Sequence, residues 1–299
     1  MIYRAPGRGI ERCLWGQKGG LMKTIALATV AALFAGQATA DVLDRIAETG
    51  VIKLGVRTDE PPFSYTSQLG EAAGLAVSLC RDAAKEIKSQ LDLDTLKVEY
   101  VEVTAATRFE KLIAGETDLH CGPTTATLSR RETLDLSIPY FIDGSSVVFR
   151  SGYIEMVDDL SGETVGVLAS TTTEGIVGQL SEARILNLTI NTYQTHVEGL
   201  TALEEGDVAA YFGDQAILRY QLGEMRPAIP LKFSPNQFSF EPYALTMKRG
   251  EARLRLAVDR ALSKTFASGA IFTHINSSMG EVTLSDLALA VYQVVTLPD

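Results

Sequence analysis

Cysteine, histidine and tryptophan are scarce in this chain: three, three and one among 299 residues. No Cys/His group at metal-ligand spacing occurs, and neither does a serine nucleophile elbow, an HExxH helix or a P-loop, so the usual motifs of metal, acyl-transfer and nucleotide chemistry are missing. Basic runs are missing too. Lys and Arg number 27 against 37 Asp and Glu, a formal net charge of −10, which argues against DNA or RNA as a partner. Long apolar runs are also lacking. The run from Ile25 to Phe34 is too short to span a bilayer and stay there, and LSDLALAVYQVV (284–295) is short and carries Asp286, so it is expected to pack against the folded body. What remains is an ordinary globular composition, 46% hydrophobic and 21% charged, enough for one large domain or two medium ones.

The amino end reads as a leader. From Met22 the sequence MKTIALATVAALFAGQATA offers a lysine, an apolar run and Ala38-Thr39-Ala40, an A-x-A signal before Asp41. Residues 1–21 carry four basic residues and no core pattern, so translation is expected to begin at Met22 and cleavage to follow Ala40. Loss of Arg4, Arg8, Arg12, Lys18, Lys23 and Glu11 would take the net charge from −10 to −14. The expectation is a soluble acidic protein in an oxidising compartment. Cys80 and Cys121 remain there, an even number that suits one disulfide, with two buried free thiols as the alternative.

Periodicity then organises the chain. VLDRIAETG reads as a helix stopped by Gly50, VIKLGV as a strand, GLAVSLCRDAAKEIKSQL as an amphipathic helix, LKVEYVEV as a strand and TAATRFEKLIAGETD as a helix ending at Gly115. This is the rhythm of a parallel α/β sheet, in which ligands sit beyond the carboxyl ends of the strands. A second set follows: ETVGVLA, LNLTINTY and VAAYFGD as strands, TTTEGIVGQL, HVEGLTALEEG and QAILRYQL as helices. SSVVFR (145–150) and PYALTMKR (242–249) are expected to connect the two units, and residues 252–275 to form carboxy-terminal helices. The expected division is 41–146 with 243–299 as lobe 1 and 147–242 as lobe 2, with the ligand in the cleft between them.

One stretch stands out, DLHCGPTTATLSRR (118–131), where Gly122-Pro123, three threonines and Arg130-Arg131 follow a strand end. Taken with strand-RTDEPPFSY, GLAVSLCRDAA, IPYFIDG, ASTTTEG and AAYFGD in that order, it resembles the periplasmic solute-binding proteins for polar amino acids that serve ABC importers, most of all the glutamate/aspartate-binding branch. The resemblance covers Asp41 to about residue 280. It implies a two-lobed periplasmic-binding-protein-like (type II) α/β fold and capture of a polar, acidic amino acid by lobe closure for membrane permease subunits; from the residues themselves no cofactor and no metal are expected, and a monomer is, since nothing suggests an interface.

Carried over to this sequence, the resemblance implies that Arg130 clamps the α-carboxylate as a planar bidentate donor, helped by backbone N–H groups in the Thr124-Thr125 pair and at the start of the helix after Thr171-Thr172. It places Asp214 on the α-ammonium; the plain alternative for Asp214 is a helix cap. Pro123 stands where relatives have Ser, keeping a carbonyl but removing an N–H and a hydroxyl. Arg57, Arg108 and His196 fall on positions that contact a distal carboxylate, and Ala105 replaces a small polar residue. An unperturbed His196 would titrate near roughly pH 6.5 and move affinity with pH. Phe63 and Tyr65 are candidates to wall the ligand's aliphatic part, with core packing as the alternative.

Two other classes use the same lobes. Exported cyclohexadienyl dehydratases hold a carboxylate with a similar Arg and need a general acid; the pocket segments offer Arg, Thr and one Asp, so a binder is expected rather than an enzyme. A neutral polar amino acid such as glutamine is the other alternative ligand. Receptor sensors carry membrane helices and signalling domains, and neither is legible here.

Overall fold

In a computed structural model, which describes residues 41–150, 152, 154–281 and 286–298, the side chain of Asp41 accepts from the Leu43 N–H at 2.8 Å and Gly50 turns left-handed at φ 64°. Those two caps bound α1 (Val42–Thr49). The expected start at Met22, the signal peptide and the cleavage after Ala40 lie outside the described residues.

The chain then runs through β1 (Val51–Val56), the short strands β2 (Asp59–Glu60), β3 (Ser64–Thr66) and β4 (Ala72–Ala73), α2 (Leu75–Gln90), β5 (Lys97–Glu102), α3 (Arg108–Ala114), β6 (Leu119–Cys121), α4 (Leu128–Arg131) and β7 (Leu134–Leu136). After β8 (Phe141–Asp143) come β9 (Ser145–Arg150), β10 (Thr164–Leu168), α5 (Thr172–Ala183), β11 (Thr189–Tyr193), α6 (His196–Glu205), β12 (Ala210–Asp214), α7 (Gln215–Met225) and β13 (Leu231–Phe233). The chain returns through β14 (Glu241–Tyr243) and β15 (Thr246–Lys248) to α8 (Ala252–Ala267), α9 (Ala270–Met279) and α10 (Asp286–Val295).

Two five-stranded sheets result, ordered β5-β1-β6-β15-β7 and β11-β10-β12-β9-β13. In each, three consecutive α/β strands pair in parallel and the strands that return from the other side pair antiparallel. The chain therefore passes between the sheets twice, at β8 and β14, which pair antiparallel with Asp143 opposite Glu241 and Phe141 opposite Tyr243. This corrects the expected connectors. SSVVFR is a strand inside the second sheet, hydrogen-bonded by β12 and β13 on its two sides and buried along nearly its whole length, and 246–248 belongs to the first sheet. An apolar extended run is read equally well as connector or as central strand until its neighbours are known.

Both sheets bury their faces. On the first, α2 lays Leu75, Leu79, Ala83 and Ile87 against Ile52, Leu54 and the α8 residues Leu254 and Val258. The second sheet carries a core on each face, one around Val147, Phe149, Val165 and Phe212, the other around Leu200, Leu203, Tyr211 and Leu218. Cys80 of α2 and Cys121 at the end of β6 are joined by a disulfide, so the bridge and not the free-thiol alternative is found. α10 packs as expected of residues 284–295: the Tyr292 ring meets Phe266 at 5.1 Å and its hydroxyl donates to the Tyr140 carbonyl at 3.2 Å. Among the described residues no helix is long and apolar enough to cross a membrane.

Candidate functional site

β6 ends at Cys121, and the next residues run Gly122-Pro123-Thr124-Thr125 beside the crossover strand β14. Thr125 faces Tyr243 across an antiparallel bridge flanked by Ala126 N–H to the Pro242 carbonyl (2.7 Å) and Ala244 N–H to the Thr124 carbonyl (2.9 Å). That makes Thr125 and Tyr243 a non-hydrogen-bonded pair, so the N–H of Thr125 points away from β14. Thr127 caps α4 by accepting from the Arg130 N–H at 3.1 Å, and Arg130 reaches back to donate from Nη1 to the Thr125 carbonyl at 2.8 Å. Its guanidinium lies 5.2 Å from the centre of the Phe109 ring, and that of Arg108 lies 4.2 Å from the same ring. Cations near an aromatic face are stabilised by its quadrupole, and the ring sets both guanidinium groups at one wall.

The opposite wall comes from the second sheet. α5 begins just past β10, with Thr171 as its cap accepting from the Glu174 N–H at 3.2 Å. The free first N–H groups of α5 and its positive end therefore face the space in front of Thr172. Asp214 closes β12. It precedes α7 yet makes no side-chain cap bond; its oxygens accept from the Thr173 hydroxyl at 2.9 Å and from the Tyr243 hydroxyl. The capping alternative for Asp214 is thus not realised.

Between these walls is a narrow cleft enclosing about 30 Å³, lined by Glu60, Arg108, Pro123, Thr125 and Arg130 from one side and by Leu168, Thr171, Thr172, Thr173, His196, Phe212, Gly213, Asp214 and Ile217 from the other. Eight of the eleven residues expected to bind ligand line it: Arg108, Pro123, Thr125, Arg130, Thr171, Thr172, His196 and Asp214. Arg57, Phe63 and Thr124 do not. Arg57 is fully buried behind the wall, its Nε and Nη2 donating to Asp59 at 2.9 and 3.0 Å and its Nη1 to Glu60. Burial would lower its pKa, but Glu60 and Asp59 together raise it, so the charge is kept and spent on neighbours. Phe63 is core, edge-on to Phe141 at 4.9 Å and Tyr243 at 5.1 Å. Thr124 is buried, and its carbonyl serves the Ala244 N–H. Ala105 is buried and off the wall.

Burial sets the charges. It pushes His196 down to about 3, with nearby Arg57 adding repulsion, so the imidazole is neutral where an exposed histidine would titrate; its Nδ1 lies 3.2 Å from the Tyr211 hydroxyl. The expected pH response of His196 near neutrality is corrected by that. The Tyr211 ring fits against α6 because Gly199 leaves room, a Cβ at that glycine falling 1.9 Å from it. Desolvation lowers Arg108 to about 9 and also lowers Arg130, against the pull of Glu241 and Asp214. It raises Asp214 to about 6, with Glu241 adding like charge, and Asp143 to about 7.

Three acids and hydroxyls were not singled out by sequence reasoning. Glu60 stands on the cleft wall and burial raises it to about 7 against the pull of Arg57. This corrects the expectation of one Asp as the only acid there. Glu241, fully buried at the start of β14, accepts from Thr125, from Thr172 at 3.1 Å and from Ser239 at 2.7 Å. Thr173 holds Asp214. The signal for Glu60 was present, an acid three residues after a strand-end Arg, but a Pro-rich loop reads as surface. Among the described residues no group of three or more His, Cys, Asp or Glu could hold a metal ion.

Two α/β lobes joined by two crossover strands, with a guanidinium on one wall of the cleft and a carboxylate on the other, are the architecture of the type II solute-binding proteins for amino acids. The chain belongs to the bacterial extracellular solute-binding proteins, family 3, whose model matches residues 52–278. It is 31% identical over 253 residues to an L-glutamate/L-aspartate-binding protein of Pseudomonas aeruginosa, covering 83% of this chain and 84% of the relative. It is 29% identical to an ABC transporter glutamine-binding protein of Bacillus subtilis, covering 77% and 81%. Among solved structures, a mutant arginine-binding protein of T. maritima superposes with a TM-score of 0.70 at 22% identity over 80% of this chain and 99% of that one. A cysteine-binding protein of Campylobacter jejuni gives 0.69 at 24%, over 80% and 93%. At such identities the structures speak for the fold alone.

Proposed function

We propose that this protein is the extracytoplasmic substrate-binding component of an ABC importer, working as a monomer that captures one polar amino acid as its zwitterion between two lobes, 41–146 with 243–299 and 147–242. Arg130 and the free N–H groups of Thr125 and Thr172 take the α-carboxylate; Asp214 and the Pro123 carbonyl take the α-ammonium. Lobe closure then changes the surface that the membrane subunits read.

The observation that carries this reading is the convergence of Arg130, the amino end of α5 and Asp214 on one cleft, from three elements far apart in sequence. A half-buried guanidinium on one wall opposite a half-buried carboxylate on the other is complementary to the two charges of a zwitterion. An acidic side chain was expected from three donors, and one guanidinium among them, Arg108, faces the cleft. The ligand class supported is a polar amino acid whose side chain accepts from Arg108, which covers the acids and their amides.

The test is calorimetric titration of the purified protein, unfolded and refolded to strip bound ligand, against L-glutamate, L-aspartate, L-glutamine, L-asparagine and L-arginine. One-to-one binding of at least one, lost in Arg130→Ala, is the expected result. Silence across the panel removes the reading. The second reading, a dehydratase, is favoured by Glu60, an acid on the wall that holds its proton near neutrality; turnover of prephenate or arogenate would establish it.

A further inference from the structure

We propose that Glu60 and Arg108 form a carboxamide-selecting pair, so that the amino acid taken by this cleft carries a neutral primary amide, as glutamine and asparagine do. The inference rests on the zwitterion-binding reading above.

Each member of the pair keeps one polar atom in reserve. Arg108 donates from Nη2 to the Ser170 carbonyl of the opposite lobe at 3.0 Å, while its Nη1 is buried and has no hydrogen-bond partner among the described residues. Glu60 accepts from Arg57 at Oε1, and no described residue donates to its Oε2. The two groups feel each other's charge, yet no ion pair joins them. One cleft wall thus presents a free donor and a free acceptor. A primary amide answers both at once, its carbonyl accepting from Arg108 and its NH₂ donating to Glu60.

Above about pH 7, where Glu60 is ionised, a carboxylate answers the first and is repelled by the second. A cation leaves the buried Nη1 of Arg108 without an acceptor and meets the positive charge of Arg108 itself. Formal charge points the same way. On the wall, Arg108 and Arg130 balance Glu60 and Asp214; behind it, Arg57 is outweighed by Asp59 and Glu241. A zwitterion with a neutral side chain leaves that balance unchanged, whereas an acidic one adds a further negative charge to a desolvated site already in excess of negative charge. His196, neutral in the folded protein, offers a hydrogen bond but no compensating charge.

The experiment is a calorimetric comparison of glutamine with glutamate and asparagine with aspartate at about pH 8, above the value of about 7 to which burial pushes Glu60. The better-bound amide is expected to exceed its acid by on the order of a hundredfold, because the acid leaves one buried partner unpaired. Glu60→Gln should collapse that ratio toward the acid. Since that variant leaves a buried Arg57, the double variant Arg57→Gln/Glu60→Gln removes both charges together and should collapse the ratio equally; thermal unfolding with and without ligand shows that each variant is folded. An acid bound more tightly than its amide, or a ratio unmoved in folded variants, overturns the proposal while the zwitterion reading stands. No binding of any amino acid overturns both.

Discussion

The hydroxyls of Thr125 and Thr172 lie 3.4 Å apart and donate to the same oxygen of Glu241. Thr125 follows a strand of the first sheet, Thr172 opens a helix beside the second, and Glu241 begins one of the two crossover strands. One carboxylate therefore ties both cleft walls to the hinge, at the residues whose N–H groups would hold the ligand's carboxylate.

Replacing that acceptor should loosen the tie. Hydrogen bonds to a charged group are worth about 1.5 to 3 kcal/mol each, and Glu241→Gln weakens three while keeping the shape. The expected outcome is a loss of about 2 kcal/mol in urea unfolding together with weaker amino-acid binding. Unchanged values for both would show that the shared acceptor does not hold the lobes.

Arg130→Ala should cost binding about 2 to 5 kcal/mol, on the order of thirtyfold to several thousandfold in Kd, because the ligand's carboxylate would remain buried without its main charge partner. Arg131→Ala, on a side chain outside the cleft, serves as the control. Equal affinity for wild type and Arg130→Ala in calorimetry would remove Arg130 from the site.

His196 carries a pH signature of definite sign. Its folded pKa of about 3 lies below the unfolded value of about 6.5, so the unfolded chain binds the proton first. The stability this neutral imidazole contributes is fully present above about pH 6.5 and is lost as pH falls toward about 3. In proton-detected NMR the His196 ring should remain neutral at about pH 5, and His196→Gln should flatten the acid side of the stability curve. A ring titrating near its ordinary value would contradict the buried placement.

The Cys80–Cys121 bridge closes a loop with a sequence separation of 41 residues. Chain entropy alone assigns about 4 kcal/mol to a loop of that size, so the Cys80→Ser/Cys121→Ser variant should unfold at lower urea by about that amount, as should the reduced protein. Binding should persist wherever the variant is folded, because the bridge lies under the first sheet and not on the cleft wall.

The place of Thr125 and Arg130 on the cleft wall was legible because a threonine pair and an Arg follow a strand end within DLHCGPTTATLSRR. Asp214 was legible from its place at a strand end. The roles of Arg57 and Glu60 were not. Both stand in RTDEPPFSY, and nothing local says that the guanidinium turns inward to two carboxylates while one of those carboxylates turns to the cleft.

What the sequence by itself determined is the order of helices and strands, their caps and the α/β class, since periodicity and capping act between residues one to four apart. The tertiary structure decided the rest. It made SSVVFR a central strand by supplying neighbours on both sides, held His196 neutral by burying it, and chose which of three arginines line the cleft. Hydrogen-bond pairing and dielectric depend on distances across space, and Glu241 meets Thr125 across a gap of 116 residues that no local pattern encodes.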